Sequence, residues 1–258
     1  MHRRSFVAPH FVALRMAIVT LLCVILWACP AYAANPLTKR VEEQILQVIR
    51  DHPEAIIDSV QAYQQREQEQ LQQVQQGILQ QMKANPAGMI GQSPTTGATE
   101  PKVVLVEFSD FQCPYCADAH KVLKKFMASH GNDVTLVYKH FPLTSLHDEA
   151  APAARAAWAA GEQGKFWEYQ DALFTQQDKL GEELYTSTAQ KLELDLEKFN
   201  ADRQSAGSAA QIARDMTIAQ QLGISGTPFF VINGETFSGA VSLPNLERAF
   251  TRASSAVS

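Results

Sequence analysis

The sequence predicts a mixed α/β fold: a domain over residues 102–258 with a helical subdomain inserted at about 144–223, preceded by an N-terminal helical arm. Three observations predict it. "VVLVEFS" (103–109) is a continuous apolar run, the mark of a strand buried on both faces of a parallel sheet. "DVTLVYKHF" (133–141) reads as a second strand, yet the next clear one, "FFVING", begins only at Phe229. A crossover needs about a dozen residues, so the long helix-periodic stretch between them is an insertion. Upstream, residues 37–84 hold no glycine except Gly77 and no proline except Pro53, which marks a separate helical segment.

The chain opens with "MHRRSFVAPHFVALRMAIVTLLCVILWACPAYAANP". Arg3, Arg4 and Arg15 lead into an apolar run from Met16 to Cys29, and Ala31-Tyr32-Ala33 places small residues ahead of a cleavage point. This is the layout of a secretory signal peptide over residues 1–33, cleaved near Ala33. The run is shorter than the roughly 20 residues a membrane-spanning helix needs. An uncleaved anchor and a lipoprotein signal ending at Cys29 are the alternatives; "LWA" before Cys29 suits the second poorly. Cleavage removes three arginines and no acid, leaving 22 − 3 = 19 basic residues against 27 acidic ones, a net charge of −8. No basic stripe remains for phosphates, which argues against nucleic acid as a partner. Cys23 and Cys29 also leave, so the exported chain, placed by this reading in the periplasm, keeps Cys113 and Cys116 alone.

The arm, residues 34–84, starts with Leu37, Val41, Ile45 and Val48/Ile49 at helical spacing, and "DHPE" restarts a helix with Pro53 in its first turn. Ile57, Val60, Gln64, Glu67, Leu71, Val74 and Ile78 then alternate four- and three-residue steps, a coiled-coil seam with two polar interruptions. Eleven glutamines lie between Gln61 and Gln81. Two readings fit: a solvated helix lying on the main domain, or an association stalk joining copies of the chain through residues 37–84. "NPAGMIGQSPTTGATEP" (85–101) reads as a linker.

In the domain, a helix runs from about Pro114 to His130, with Val122, Leu123, Phe126 and Met127 inward and Gly131 as its stop. The insert reads as four helix-periodic segments. "FFVIN" and "ETFSGAV" pair across Asn233-Gly234, a hairpin signal, and "LPNLERAFTRAS" closes the chain as a helix. The expected order is strand, helix, strand, helical insert, strand, strand, helix.

"SDFQCPYCADAH" carries the chemistry. Cys113 takes the N-cap of the helix and Pro114 its first position, where a missing N–H costs nothing. Cys116 lies one turn in, at a spacing a disulfide can close. Free N–H groups and the helix dipole face Cys113, read as the exposed member, and favour its thiolate. A four-ligand zinc site needs more ligands; His120, His130, His140 and His147 keep a Cys2His2 site open. A structural staple is weaker, because so short a loop removes little unfolded-state entropy. Redox exchange ranks first.

With "VEFSDFQCPYC", "GKFWEYQDALF" and "GISGTPFFVING", the chain over about residues 100–250 resembles the thioredoxin superfamily, and within it the exported DsbA-like thiol:disulfide oxidoreductases. The arm adds a resemblance to the Com1-like and ScsC-like subgroups. The resemblance implies a thioredoxin fold with an inserted helical subdomain and no cofactor or metal. It implies that Cys113 attacks substrate disulfides and Cys116 resolves the mixed disulfide. Pro228 matches a cis-proline opposite the pair, with Thr227 offering its backbone to an extended substrate; a plain trans proline opening the strand is the alternative. Pro114 and Tyr115 complete the substrate-binding set. Glu107, an acid costly to bury in an apolar run, matches a family acid six residues before the first cysteine and takes the Cys116 proton; its alternative is solvent at the strand end. Lys139, on the neighbouring strand, is its expected partner. Phe166, Trp167 and Tyr169 read as core of the insert.

Two departures matter. Tyr115 stands where the strong oxidases of the group carry histidine, so the disulfide should be less oxidising. Thr227 before Pro228 is more like the isomerases and reductases, which are commonly oligomers. The expected function is exchange of disulfides with cysteines of exported proteins, recycled by a membrane partner of DsbB or DsbD type. The competing readings are an envelope copper- or zinc-binding protein using the same thiols, and an interaction protein led by the glutamine-rich arm.

Overall fold

A computed structural model describes residues 36–100 and 102–255. The signal peptide, Cys29 and Ala33 lie outside the described residues. By contacts the chain divides into a unit ending at Gln65 and a unit running from Arg66 to Ser258.

The first unit holds helix α1 (Pro36–Asp51) and the first turns of α2 (Pro53–Ala84). His52 separates them, and Pro53 opens α2 at a position where its absent N–H breaks no helical bond. Val41, Ile45, Val48, Ile57 and Val60 are each at least half exposed. The apolar stripe read from the sequence is therefore present and uncovered within this unit.

The second unit is built on a five-stranded sheet in the order β1-β3-β2-β4-β5. These strands are β1 (Thr95–Gly97), β2 (Val103–Ser109), β3 (Val134–His140), β4 (Phe229–Ile232) and β5 (Glu235–Ser238). Only β2 and β3 are parallel, joined by helix α3 (Pro114–His130). Every residue of both strands is buried, as expected for a strand covered on both faces. Asn233 and Gly234 both have positive φ, 42° and 88°, as a two-residue hairpin turn between β4 and β5 requires.

Helices α4 (Ala150–Gly161), α5 (Phe166–Thr175), α6 (Glu182–Lys191), α7 (Leu196–Gln204) and α8 (Ala206–Gln221) form the insert, and α9 (Leu243–Ser255) closes the chain. Seven alanines of α4 are buried, so neighbouring helices approach its backbone closely. Phe166 and Tyr169 are core, and the Tyr169 hydroxyl donates to the Tyr185 carbonyl at 2.9 Å. Trp167 is part-buried, its indole N–H donating to the Thr95 carbonyl at 2.7 Å.

Residues 85–101 are not a free linker. They contain a 3-10 turn at Pro86–Met89 and strand β1, which pairs antiparallel with β3. Ser93 is buried. The turn-rich composition serves a tight approach to the sheet edge. The last turns of α2 also belong to the domain: Met82 is buried with Val104, Val106 and Val231, and Ile78 and Leu79 pack on the same cluster. Gly234 is needed there, since a Cβ would sit 2.7 Å from the Leu79 carbonyl oxygen. The compact boundary falls nearer Gln65 than residue 84.

Met82→Ala is accordingly expected to cost about 2–5 kcal/mol in denaturant unfolding of the domain. Val60→Ala, at an exposed position, should stay within about 0.5 kcal/mol for the isolated chain.

Candidate functional site

Central placement of β2 between β3 and β4 brings two distant segments together. The turn after β2 feeds α3, and the loop before β4 returns beside it. Cys113 is the N-cap of α3 in extended conformation (φ −73°, ψ 121°), with Pro114 at the first helical position. The Thr227–Pro228 bond is cis. The Cys113 sulfur donates to the Thr227 carbonyl oxygen at 3.5 Å, closing the two segments on each other.

Both thiols are unbonded. Cys113, expected as the exposed member of the pair, is only 4% exposed, its sulfur against the loop before β4, while Cys116 is fully buried. Pro114 is exposed and Tyr115 is 61% exposed, so the residues between the cysteines face solvent. The Cys113 thiol is pushed down to about 5, first by the hydrogen bond from Cys116 and, against partial burial, by Thr227 and the N–H groups of Cys116 and Tyr115. Thr227 Oγ1, buried without a hydrogen bond of ordinary geometry, is close enough to favour the anion. Cys116 is pushed strongly up by burial and by its bond to Cys113. The pair thus divides into an ionisable outer thiol and an inner thiol that holds its proton.

Glu107 is fully buried, and neither carboxyl oxygen has a hydrogen-bond partner in the protein. Burial pushes it up to about 7, opposed by the nearby Ser109 hydroxyl. Its charge in turn raises Cys116. A buried polar group without a partner costs roughly 1–3 kcal/mol, which sets this carboxyl apart from the apolar residues before it.

Lys139 is not its partner. Glu107 aligns with Tyr138 across β2 and β3, and Lys139 aligns with Phe108. Alternation along a strand therefore turns Lys139 to the opposite face of the sheet. There its ammonium donates to Ser93 Oγ at 2.7 Å and lies 3.3 Å from the buried Asp215 carboxylate.

Three residues that sequence reading missed hold the cysteine turn. Asp110 accepts from the N–H of Gln112 at 2.8 Å, from the N–H of Leu143 at 2.9 Å, and pairs with His147 at 2.8 Å. Gln112 accepts from the N–H of Glu149 at 2.7 Å. Gln177, from the insert, donates to the carbonyls of Phe111 and Cys113 at 2.7 and 2.8 Å. Asp110 and Gln112 were readable as turn residues flanking the motif; Gln177 carried no signal. His120 is engaged by Asp171 and His130 by Glu247. Among the described residues no cluster of three or more histidine, cysteine or acidic side chains is placed to hold a metal ion.

Two measurements check these assignments. Alkylation of the reduced protein should modify Cys113 first, with a rate that rises through a midpoint near pH 5, while Cys116 stays protected at neutral pH. For Glu107, the folded state holds its proton to a higher pH than the unfolded chain, so ionisation erodes stability between the ordinary carboxyl value of 4.5 and about 7. Glu107→Gln should raise the melting temperature by an amount that grows across that window and then levels off.

Residues 104–251 match the model of the DSBA-like thioredoxin domain. A thioredoxin-like oxidoreductase from Silicibacter pomeroyi DSS-3 superposes with a TM-score of 0.59 at 36% identity, covering 63% of this chain and 92% of that one. ScsC of Proteus mirabilis shares the fold at 22% identity and a TM-score of 0.60, covering 85% of this chain and 98% of that one. The Na(+)/H(+) antiporter NhaA 3 of Salinispora tropica is 40% identical over 156 residues, which are 59% of this chain and 23% of that protein. The chain spans about a quarter of the length of the curated relatives it matches. Among the described residues no helix is long and apolar enough to cross a membrane. The cysteine pair at a helix start, the cis-proline beside it and the helical insert agree with the family match: the chain belongs to the DSBA-like thioredoxin domain family.

Proposed function

We propose that the protein exchanges disulfides with cysteines of exported proteins, with Cys113 as nucleophile and Cys116 as resolving thiol. The observation that carries this reading is the geometry of the pair: Cys113 caps a helix N-terminus with its sulfur 3.5 Å from the Thr227 carbonyl oxygen, while Cys116 is fully buried one turn in, an arrangement that pushes the first thiol down and the second up. A thiolate attacks a disulfide sulfur, and a neighbouring thiol expels the product from the mixed disulfide. In the reductive direction Cys113 sulfur bonds to one substrate sulfur, and the other leaves with the electron pair. Cys116 then gives its proton to Glu107, attacks Cys113, and releases the second substrate thiolate; the pair is oxidised and the substrate reduced by two electrons. Pro114 and Tyr115 offer exposed contact surface, and the Thr227 backbone meets an extended substrate. Lys139 has no part in this step.

This reading places the protein in the periplasm after cleavage near Ala33, with a membrane protein of DsbB or DsbD type as recycling partner. Association through the arm belongs to the same reading. The uncovered apolar stripe of α1 and the first turns of α2 suits a second copy of the chain, and several copies would present paired catalytic domains to one misfolded substrate. Isomerase or mixed activity follows from that arrangement.

Cys113→Ser is expected to abolish insulin reduction, and Cys116→Ser to accumulate a mixed disulfide visible by mass spectrometry. Light scattering should show an oligomer for the mature protein and a monomer once residues 34–65 are removed. That truncation should keep insulin reduction and lose reshuffling of scrambled ribonuclease. It must stop at Gln65, since Ile78, Leu79 and Met82 belong to the domain core. A monomeric mature protein would overturn the arm's role.

A further inference from the structure

The face of β2 and β3 turned toward α3 changes character along its length. Aligned pairs Val103–Val134 and Leu105–Leu136 are apolar, and the next two, Glu107–Tyr138 and Ser109–His140, are polar. All four polar residues are buried, none more than 2% exposed. Their functional atoms are Glu107 Oε1 and Oε2, Ser109 Oγ, Tyr138 Oη, and both ring nitrogens of His140. None has a hydrogen-bond partner of ordinary geometry in the protein. One such atom is an exception in a native fold; a contiguous group of them calls for another partner. The Ser109 hydroxyl is close enough to Glu107, Cys116 and Tyr138 to influence the ionisation of each. The group therefore sits directly behind the resolving cysteine. A site that is polar and offers several donors and acceptors is where buried water is held.

We propose that Glu107, Ser109, Tyr138 and His140 enclose an internal water site behind Cys116, in which Ser109, Tyr138 and His140 act as positioning residues that orient and solvate the Glu107 carboxyl for proton exchange with Cys116. The proposal deepens the reading given under Proposed function and rests on it. During resolution the Cys116 S–H bond breaks and its proton passes, directly or through one water, to Glu107. The sulfur keeps the electron pair and bonds to Cys113, and the bond from Cys113 to the substrate sulfur breaks. Tyr138 stays a neutral donor throughout, because burial and the Glu107 charge disfavour its anion. His140 stays neutral because burial and the Lys139 charge disfavour the cation, so it both donates and accepts.

The other titratable groups facing Glu107 are Cys116 on α3 and Tyr138 on β3. Its β4 neighbour Phe230 carries no charge, and Lys139 and Asp215 pair on the opposite face, from which the Lys139 charge reaches His140. Donors that solvate the carboxylate hold its proton affinity down. Removing one should leave a smaller fraction of Glu107 ionised at neutral pH and slow its acceptance of the Cys116 proton.

The test is stopped-flow mixing of the reduced full-length mature protein with excess dithiodipyridine. A first thiopyridone reports attack by Cys113, and a second reports its expulsion by Cys116. In Tyr138→Phe, which keeps the ring, the second phase at neutral pH should slow roughly two- to fivefold, as a rise of half to one unit in a pH midpoint near 7 requires. The first phase should not change. Ser109→Ala should move the profile the same way and carries the test if the Tyr138 variant does not fold. Adding Tyr138→Phe to Glu107→Gln should have no further effect on the second phase. A second-phase profile left in place by Ser109→Ala, and by Tyr138→Phe where it folds, overturns the proposal while Glu107→Gln still slows that phase. If Glu107→Gln leaves it unaltered, the proton role of Glu107 falls and the proposal falls with it.

Discussion

The contact between the Cys113 sulfur and the Thr227 carbonyl is the constraint on which the site depends. It joins residues far apart in sequence, and it exists because β2 and β4 are adjacent in the middle of the sheet. The helical insert leaves β3 and returns to β4 without disturbing that adjacency. Gln177 sends two hydrogen bonds from the insert to the carbonyls flanking the cysteine turn, and Asp110 ties the same turn to the loop after β3. The cysteine pair is thus held from three sides by parts of the chain that have no chemistry of their own. Positioning on rigid elements is what lets a thiolate meet an incoming disulfide at a defined angle.

Beneath that surface the sheet carries an unusual load. A carboxyl, a phenol, a serine hydroxyl and an imidazole lie together on one buried face, where apolar side chains would pack more cheaply. On the other face Lys139, Asp215 and Ser93 form a satisfied network, with Asp215 also accepting the His140 N–H at 3.0 Å. One polar group is closed and one is open, and the open one lies beside Cys116, where the proposed exchange needs a titrating group near neutral pH.

Much of this was legible in the sequence, for physical reasons that also mark the limits. β2 and α3 read with their observed bounds because an apolar run, a proline at a helix start and a stop after His130 are all local signals. The Asn233-Gly234 turn was equally local. β1 was missed since Thr95, Thr96 and Gly97 lack any hydrophobic alternation; their pairing is decided by the neighbouring β3. Lys139 was placed beside Glu107 because register is not written in either strand alone, and a shift of one residue changes the face. Tyr138 went unremarked, and His140 was read only as a possible zinc ligand, for the same reason: only the observed alignment with Glu107 and Ser109 makes them one group.

The stabilisation of Cys113 bears on the direction of exchange. Tyr115 projects into solvent, and the Cys113 thiol is pushed down first by the Cys116 thiol, then by Thr227, and last by the backbone N–H groups of Cys116 and Tyr115. None of these contributions comes from the side chain at 115. A thiolate with an affinity for protons as low as about 5 stabilises the reduced pair over the whole range from there to the ordinary thiol value, and the disulfide has no matching gain. In the proposed exchange this tilts the pair toward accepting electrons, even without a histidine between the cysteines. Burial of Cys116 works in the opposite direction on the other sulfur, which under the proposed mechanism keeps its proton until Glu107 accepts it. The two effects oppose each other, which is what the proposed reshuffling of substrate disulfides would require.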